Sequence, residues 1–339
     1  MVVFLLNTRV CGLYKPLRGK PITSELSNII EQNYSHLIPD FFKMQTEYLT
    51  SINVIYGDLD ASLVAMVITN QLYKKTLKKN NNLGNISFKY FYEKVNFQLQ
   101  VSTLKIKDVS STLNLPRETV RRKKLKLIED NIITFDEKNK LYILNAAKID
   151  KKILEIQIYN VSKFLSKFYV FLTNNKSFIK GISTEQIKKD IDEKFFIYLT
   201  KFLDFQIAYF SNLKNIMDIE SVFIFILCAL NTLSSKEFKK KKPLSIKNLF
   251  YRLHMLNGGI GLNATSISEI TKIPRTTVLR KIVDLEKAGM LKKDKFKRYA
   301  PNVLSSSKES KKLLPAMGYT LELLGIFFSQ CYEIYSAKI

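Results

Sequence analysis

The chain reads as a mostly α-helical protein with two small β-hairpins, assembled from two tandem copies of one unit. Three observations predict this. The second half of the sequence restates the first at an offset near 160 residues, apolar residues recur at helical spacing, and in each half two short β-rich segments flank a polar tip. At 339 residues the chain has the length of two ordinary domains, and 46% hydrophobic against 25% charged residues is the balance of folded ones. Each half is therefore expected to hold its own core.

The repeat is legible residue by residue. Lys20-Pro-Ile-Thr-Ser-Glu25 matches Lys180-Gly-Ile-Ser-Thr-Glu185, and Asp58-Leu-Asp60 matches Asp218-Ile-Glu220, both 160 residues apart. After two Lys-rich stretches read as loops, Lys74 to Lys79 and Lys236 to Lys242, the offset becomes 158. Pro116-Arg-Glu-Thr-Val-Arg-Arg-Lys-Lys-Leu-Lys-Leu127 then aligns with Pro274-Arg-Thr-Thr-Val-Leu-Arg-Lys-Ile-Val-Asp-Leu285, identical at seven of twelve positions. A period this long is a domain duplication and not a solenoid repeat. The expected division is an N-terminal segment 1–19, a first unit 20–175 and a second unit 176–339.

Within the first unit, Ile106, Val109 and Leu113 have helical spacing, and Asn114-Leu115-Pro116 stops that helix and starts another, since the residue before Pro is biased away from helix and Pro suits a first turn. The new helix carries Val120 and Leu127 inward and ends at Asn131, where the second unit has Gly289; both residue types accept a left-handed cap. Ile132 to Phe135 and Leu141 to Leu144 follow as a hairpin, matched by Met290 to Lys292 and Arg298 to Ala300 around the basic tip Lys293 to Lys297. One position departs from the repeat, because Lys124 stands where Ile282 is expected to face the second core; either its stem lies along apolar surface with the ammonium in water, or the first unit's helix is slightly shifted. Apolar helices from Ile153 to Leu172 and Leu313 to Tyr335 close the two units, and Val222 to Leu230 reads as a buried helix.

Helix, turn, helix and hairpin in this order resemble the winged helix-turn-helix of DNA-binding proteins. The string Pro-Arg-x-Thr-Val-x-Arg-Lys looks like its recognition helix. The resemblance places one helix-turn-helix at about 105–131 with a wing at 132–145, and another at 264–289 with a wing at 290–302 and a C-terminal helix at 313–335. With flanking helices added, the order is similar to MarR-type regulators, in which outer helices pair two chains and the winged domains face DNA. The resemblance implies that here one chain supplies both halves, and a pseudo-dimer with the flanking helices as its seam is expected.

Charge points the same way. Lys and Arg number 54 against 30 Asp and Glu, a net charge of +24 and a pI near 9.7, and such a surplus seeks a polyanion. An A+T-rich coding sequence also enriches Lys, so the placement of arginine carries more weight. Of nine arginines, five fall in the two windows 117–122 and 275–280. A guanidinium fork suits guanine edges and bidentate phosphate contacts. The expected base-reading residues are Arg117, Glu118, Arg121 and Arg122 in the first unit and Arg275, Thr276 and Arg280 in the second. The expected phosphate contacts are Thr119, Thr277, Lys123, Lys281, Lys138, Lys140, Lys293, Lys295, Lys297 and Arg298. Because positions 118/276 and 121/279 differ, the target is expected to be an imperfect palindrome.

Other classes find little support. The two histidines, His36 and His254, do not correspond between units, and no Gly-rich phosphate loop, nucleophile elbow or H-E-x-x-H string occurs, so no enzyme, cofactor or metal is expected. Cys11, Cys228 and Cys331 lack metal or disulfide spacing and fit a reducing cytoplasm. No signal peptide or membrane span is read, and a bacterial or phage-encoded, nucleoid-associated protein is expected. A small-molecule effector between the halves has no residue arguing for it, and further oligomerisation is open. Three functions stand: a transcriptional regulator on a specific operator, a plasmid- or phage-type replication initiator, and a winged-helix interaction scaffold.

Overall fold

Gly57, with φ of +62°, lets the chain turn sharply between two long helices. A computed structural model describes residues 21–79, 84–95, 100–101, 105–139, 141–145, 151–174, 181–235, 242–255, 260–302 and 308–337; the expected N-terminal segment 1–19 lies outside them. The first half runs α1 (Pro21–Gln32), α2 (Tyr34–Tyr56), α3 (Leu59–Lys79), α4 (Phe88–Tyr90, continued by a π turn), β1 (Gln100–Val101), α5 (Ile106–Leu113), α6 (Arg117–Glu129), β2 (Ile133–Asp136), β3 (Leu141–Leu144) and α7 (Lys151–Asn174). The second runs α8 (Thr184–Glu193), α9 (Phe195–Lys214), α10 (Ile219–Leu233), α11 (Ile246–Met255), α12 (Ala264–Thr271), α13 (Arg275–Lys287), β4 (Leu291–Lys293), β5 (Tyr299–Pro301) and α14 (Lys308–Ser336). The fold is thus mostly helical, with two small antiparallel strand pairs, β2–β3 (which β1 also joins) and β4–β5.

Two separate cores do not form. Helix α2 packs on α10 and α12 of the second half, while α9 packs on α3 and α5 of the first; α1 lies against α14 and α8 against α7. The buried apolar residues make one continuous cluster from Leu26 to Cys331. The physical reason lies in α2 and α9, which bury residues around most of their circumference and so need cover on more than one side. Phe41 meets Phe164, Phe205 and Tyr209, and Phe168 stacks on Phe328 with ring centroids 3.4 Å apart. Each such buried ring contributes about 1.5–3 kcal/mol.

Polar bonds fix how the halves interlock. Ser211 of α9 donates to the Thr112 carbonyl at the end of α5 (2.7 Å), and Thr50 of α2 donates to the Ile270 carbonyl at the end of α12 (3.3 Å). Residues 112 and 270 are 158 apart, so each half satisfies the same orphan carbonyl of the other. Asn53 adds a bond to the Thr271 carbonyl (3.1 Å). The α2–α3 and α9–α10 pairs bend alike, by 95° and 99°, and among the described residues no single helix is long and apolar enough to cross a membrane.

The stretch Lys74 to Lys79, expected as a loop, is instead the last turns of α3. Its register is held by Lys74, whose ammonium lies 2.5 Å from Asp204 of α9, and basic residues at a helix C-terminus also complement its dipole. Lys236 to Lys241, in the matching stretch, lies outside the described residues.

Candidate nucleic-acid interface

The turn between α5 and α6 is built by the same atoms as that between α12 and α13. Asn114 (φ +49°) and Lys272 (φ +61°) take the left-handed conformation that ends the first helix. Ser110 Oγ donates to the Leu115 carbonyl at 2.6 Å, and Ser268 Oγ to the Ile273 carbonyl at 2.7 Å. Pro116 and Pro274 then begin helices of thirteen residues each. Val120 and Leu127 anchor α6 inward; Val278, Ile282 and Leu285 anchor α13. Asn131 (φ +55°) and Gly289 (φ +68°) release the chain into the hairpins.

The outward face of α6 presents Arg117, Glu118, Arg121 and Arg122, all exposed, and that of α13 presents Arg275, Thr276 and Arg280. Glu118 and Arg121 form a two-pronged pair at 2.8 and 2.9 Å; the hydrogen bond from Arg121 holds the carboxyl below its ordinary range. Arg275 Nε donates to Thr265 Oγ1 at 3.4 Å. Thr119 and Thr277 are half-buried in the first turns.

Lys123 and Lys281, expected on phosphates, face inward. Lys123 pairs with Asp58, and Lys281 lies 2.7 Å from Asp218 and 3.2 Å from Glu220. Asp58 and Asp218 also accept backbone N–H groups in the first turns of α3 and α10, from Ala61 at 2.8 Å and Ser221 at 3.1 Å. Facing carboxylates offset the cost of enclosing these ammonium groups, and the pairing withdraws both lysines from the outer surface.

Lys124, expected to hold its ammonium in water, instead donates to the Tyr142 hydroxyl at 2.7 Å, with the ammonium 4.5 Å from that ring's centroid. Lys138 is exposed in the first hairpin turn, and Lys140 lies outside the described residues. In the second hairpin Lys293, Lys295 and Lys297 are exposed, while Arg298 is half-buried against Asp294 at 3.0 Å.

Exposed apolar residues share the arginine-bearing faces: Leu279, whose position the sequence already set against Arg121, and Leu125 on α6 and Val283 on α13, which it did not single out. The signal was present as the spacings 117, 121, 125 and 275, 279, 283, which put them in line with the arginines on one helix face. Such a face combines guanidinium donors with apolar contact surface. No protein-family model, curated protein or solved structure matches the chain.

Between α2, α3 and α7 on one side and α8 and α9 on the other lies a cavity of about 130 Å³, walled by Tyr48, Tyr56, Met66, Phe195 and Phe202. Gln157 borders it, its carbonyl buried and without a donor among the described residues. Among the described residues no cluster of His, Cys, Asp or Glu has the arrangement of a metal site.

Proposed function

We propose that the chain binds double-stranded DNA sequence-specifically and acts as a transcriptional regulator, through two winged helix-turn-helix units related by duplication within one chain. The observation that carries this reading is the pair α6 and α13. They have equal length, follow turns stitched by the same hydrogen bond, precede hairpins, and present arginine on their exposed first turns. Residues there enter the major groove when such a helix docks. Arginine suits guanine, Glu118 suits the amino group of cytosine, and Leu279 and Val283 suit thymine methyl groups. The exposed hairpin lysines supply phosphate contacts whose strength falls with salt.

The interlocked halves support a pseudo-dimer in which the two recognition helices keep a fixed spacing. Because α6 and α13 differ at their outward positions, the two half-sites differ as well. The decisive experiment selects bound fragments from the source genome and maps them. Enrichment upstream of several genes supports a regulator. Enrichment at one repeated, origin-like array moves the chain to the replication initiators, and no DNA retention at moderate salt overturns both.

A further inference from the structure

The tip of the second hairpin is a rigid turn organised by one carboxylate. Asp294 Oδ1 accepts from the backbone N–H groups of Phe296 and Arg298, both at 2.9 Å, and Oδ2 accepts from Arg298 Nε at 3.0 Å. Backbone bonds between Asp294 and Arg298 (2.9 Å) and from Lys297 to Asp294 (3.0 Å) close it, with Lys297 at φ +58°. This turn holds Phe296 out into solvent. At 63% exposure it is the most exposed of the large apolar side chains among the described residues. The Lys295 ammonium lies 5.1 Å from its ring centroid and the Arg298 guanidinium 4.9 Å.

The first hairpin has a matching carboxylate, Asp136, which also accepts from backbone N–H groups of the tip, but among its described residues the tip carries no aromatic side chain. The residue at the position matching Phe296 is Lys138, and its tip carries Asp136, Glu137 and Asn139, with Asp136 accepting from Asn139 N–H at 3.1 Å. Its aromatic residues, Phe135 and Tyr142, sit back on the strands with ring centroids 4.6 Å apart. Two hairpins of the same place in the fold therefore differ in what their tips can do.

We propose that Phe296 is a wedge: the second wing enters the minor groove and Phe296 partly unstacks one base step there, while Lys295 and Lys297 hold the flanking phosphates. This rests on the DNA reading given above. An apolar ring exposed among cations suits a site where stacked bases lie between two rows of phosphate, and a pre-formed turn spends little entropy in delivering it. Easily opened steps, such as TA, take the wedge at least cost. A protein pocket for the ring would not call for cations on both sides of it.

The test uses the full chain and a duplex of alternating A·T pairs carrying 2-aminopurine at TA steps, a base whose fluorescence rises when it unstacks. Wild type is expected to raise the fluorescence on binding. Phe296→Ala abolishes the rise, keeps its thermal stability, and loses no more than about tenfold in affinity with the salt dependence unchanged. Phe296→Leu restores most of the rise. If Phe296→Ala binds and brightens the probe as wild type does, the wedge is overturned with DNA binding intact. If wild type does not retain the duplex at low salt, the DNA reading falls and the wedge with it.

Discussion

Lys281 of α13 reaches back to Asp218, the residue that caps α10, at 2.7 Å, and Lys123 of α6 pairs in the same way with Asp58 ahead of α3. The two pairs are the same device in both halves. Each ties an exposed, arginine-bearing helix to the core helix beneath it, so the angle of the one is set by the cap of the other. Lys281 is nearly buried, and a buried charge that loses its partner is strongly penalised.

Asp218→Ala removes a helix cap and the nearer partner of Lys281 together. It is expected to lower unfolding free energy by roughly 2 kcal/mol, read from the urea midpoint. Lys281→Met, which spares the cap, costs less and leaves the salt dependence of DNA binding unchanged. A change of about one in that slope would return Lys281 to the phosphate-contacting set.

The same carboxylates set an acid limit. Burial pushes Asp58 and Asp218 up, but hydrogen bonds from Lys123 and Lys281 and from backbone N–H groups outweigh it and hold both below their ordinary value. A carboxylate lowered in the folded state stabilises fully above its unfolded value, near 3.9, and loses that contribution as pH falls through the folded value. Stability is therefore expected to drop below about pH 4, and the Asp58→Asn/Asp218→Asn double variant to show a shallower drop in urea titrations across that range.

On DNA, Arg117→Ala is expected to relax base preference at one position, at a cost of about 1–3 kcal/mol on the best site. Lys295→Ala should weaken all sequences alike and reduce the salt slope by about one. Competition binding with mutated sites separates them; identical behaviour would overturn the assignment of α6 as a reading helix.

Gln157→Met replaces an amide whose buried carbonyl has no donor among the described residues, and whose Nε2 reaches Ser51 Oγ only at 3.5 Å. Removing an unsatisfied group in favour of an apolar one of similar size is expected to stabilise by about 1 kcal/mol, raising Tm by about 2 °C. Calorimetry of the two proteins decides it.

Residues 20–175 and 176–339, produced separately, are each expected to fail to fold into a soluble monomer, because α2 and α9 lose the surfaces they cover. Produced together they should co-purify as one complex. A soluble, cooperatively melting fragment from either half alone would show that the interlock is not required.

Much of the local structure was legible. Asn114-Leu115-Pro116 marks the turn because it pairs a left-handed cap with a proline start, and the equal runs after Pro116 and Pro274 define both exposed helices. The candidate surface was legible where exposure follows from helical period, as for Arg117, Arg122, Arg275 and Arg280. It was not legible for Lys123 and Lys281, whose partners stand more than sixty residues earlier. Nor was it for Phe296, one aromatic among 23 phenylalanines until the turn around Asp294 lifts it clear.

From Ile106 to Leu144 and over the matching stretch of the second half, the order and kind of elements follow from the chain's local chemistry, because propensity, capping and turn chemistry act within a few residues. That α2 serves the second half and α9 the first is fixed by long-range packing. Burial is indifferent to which stretch of chain supplies the apolar face, and an amphipathic pattern says that a face must be covered without saying by what. The one continuous core, the crossed bonds from Ser211 to Thr112 and from Thr50 to Ile270, and the inward turn of the two lysines all follow from that choice.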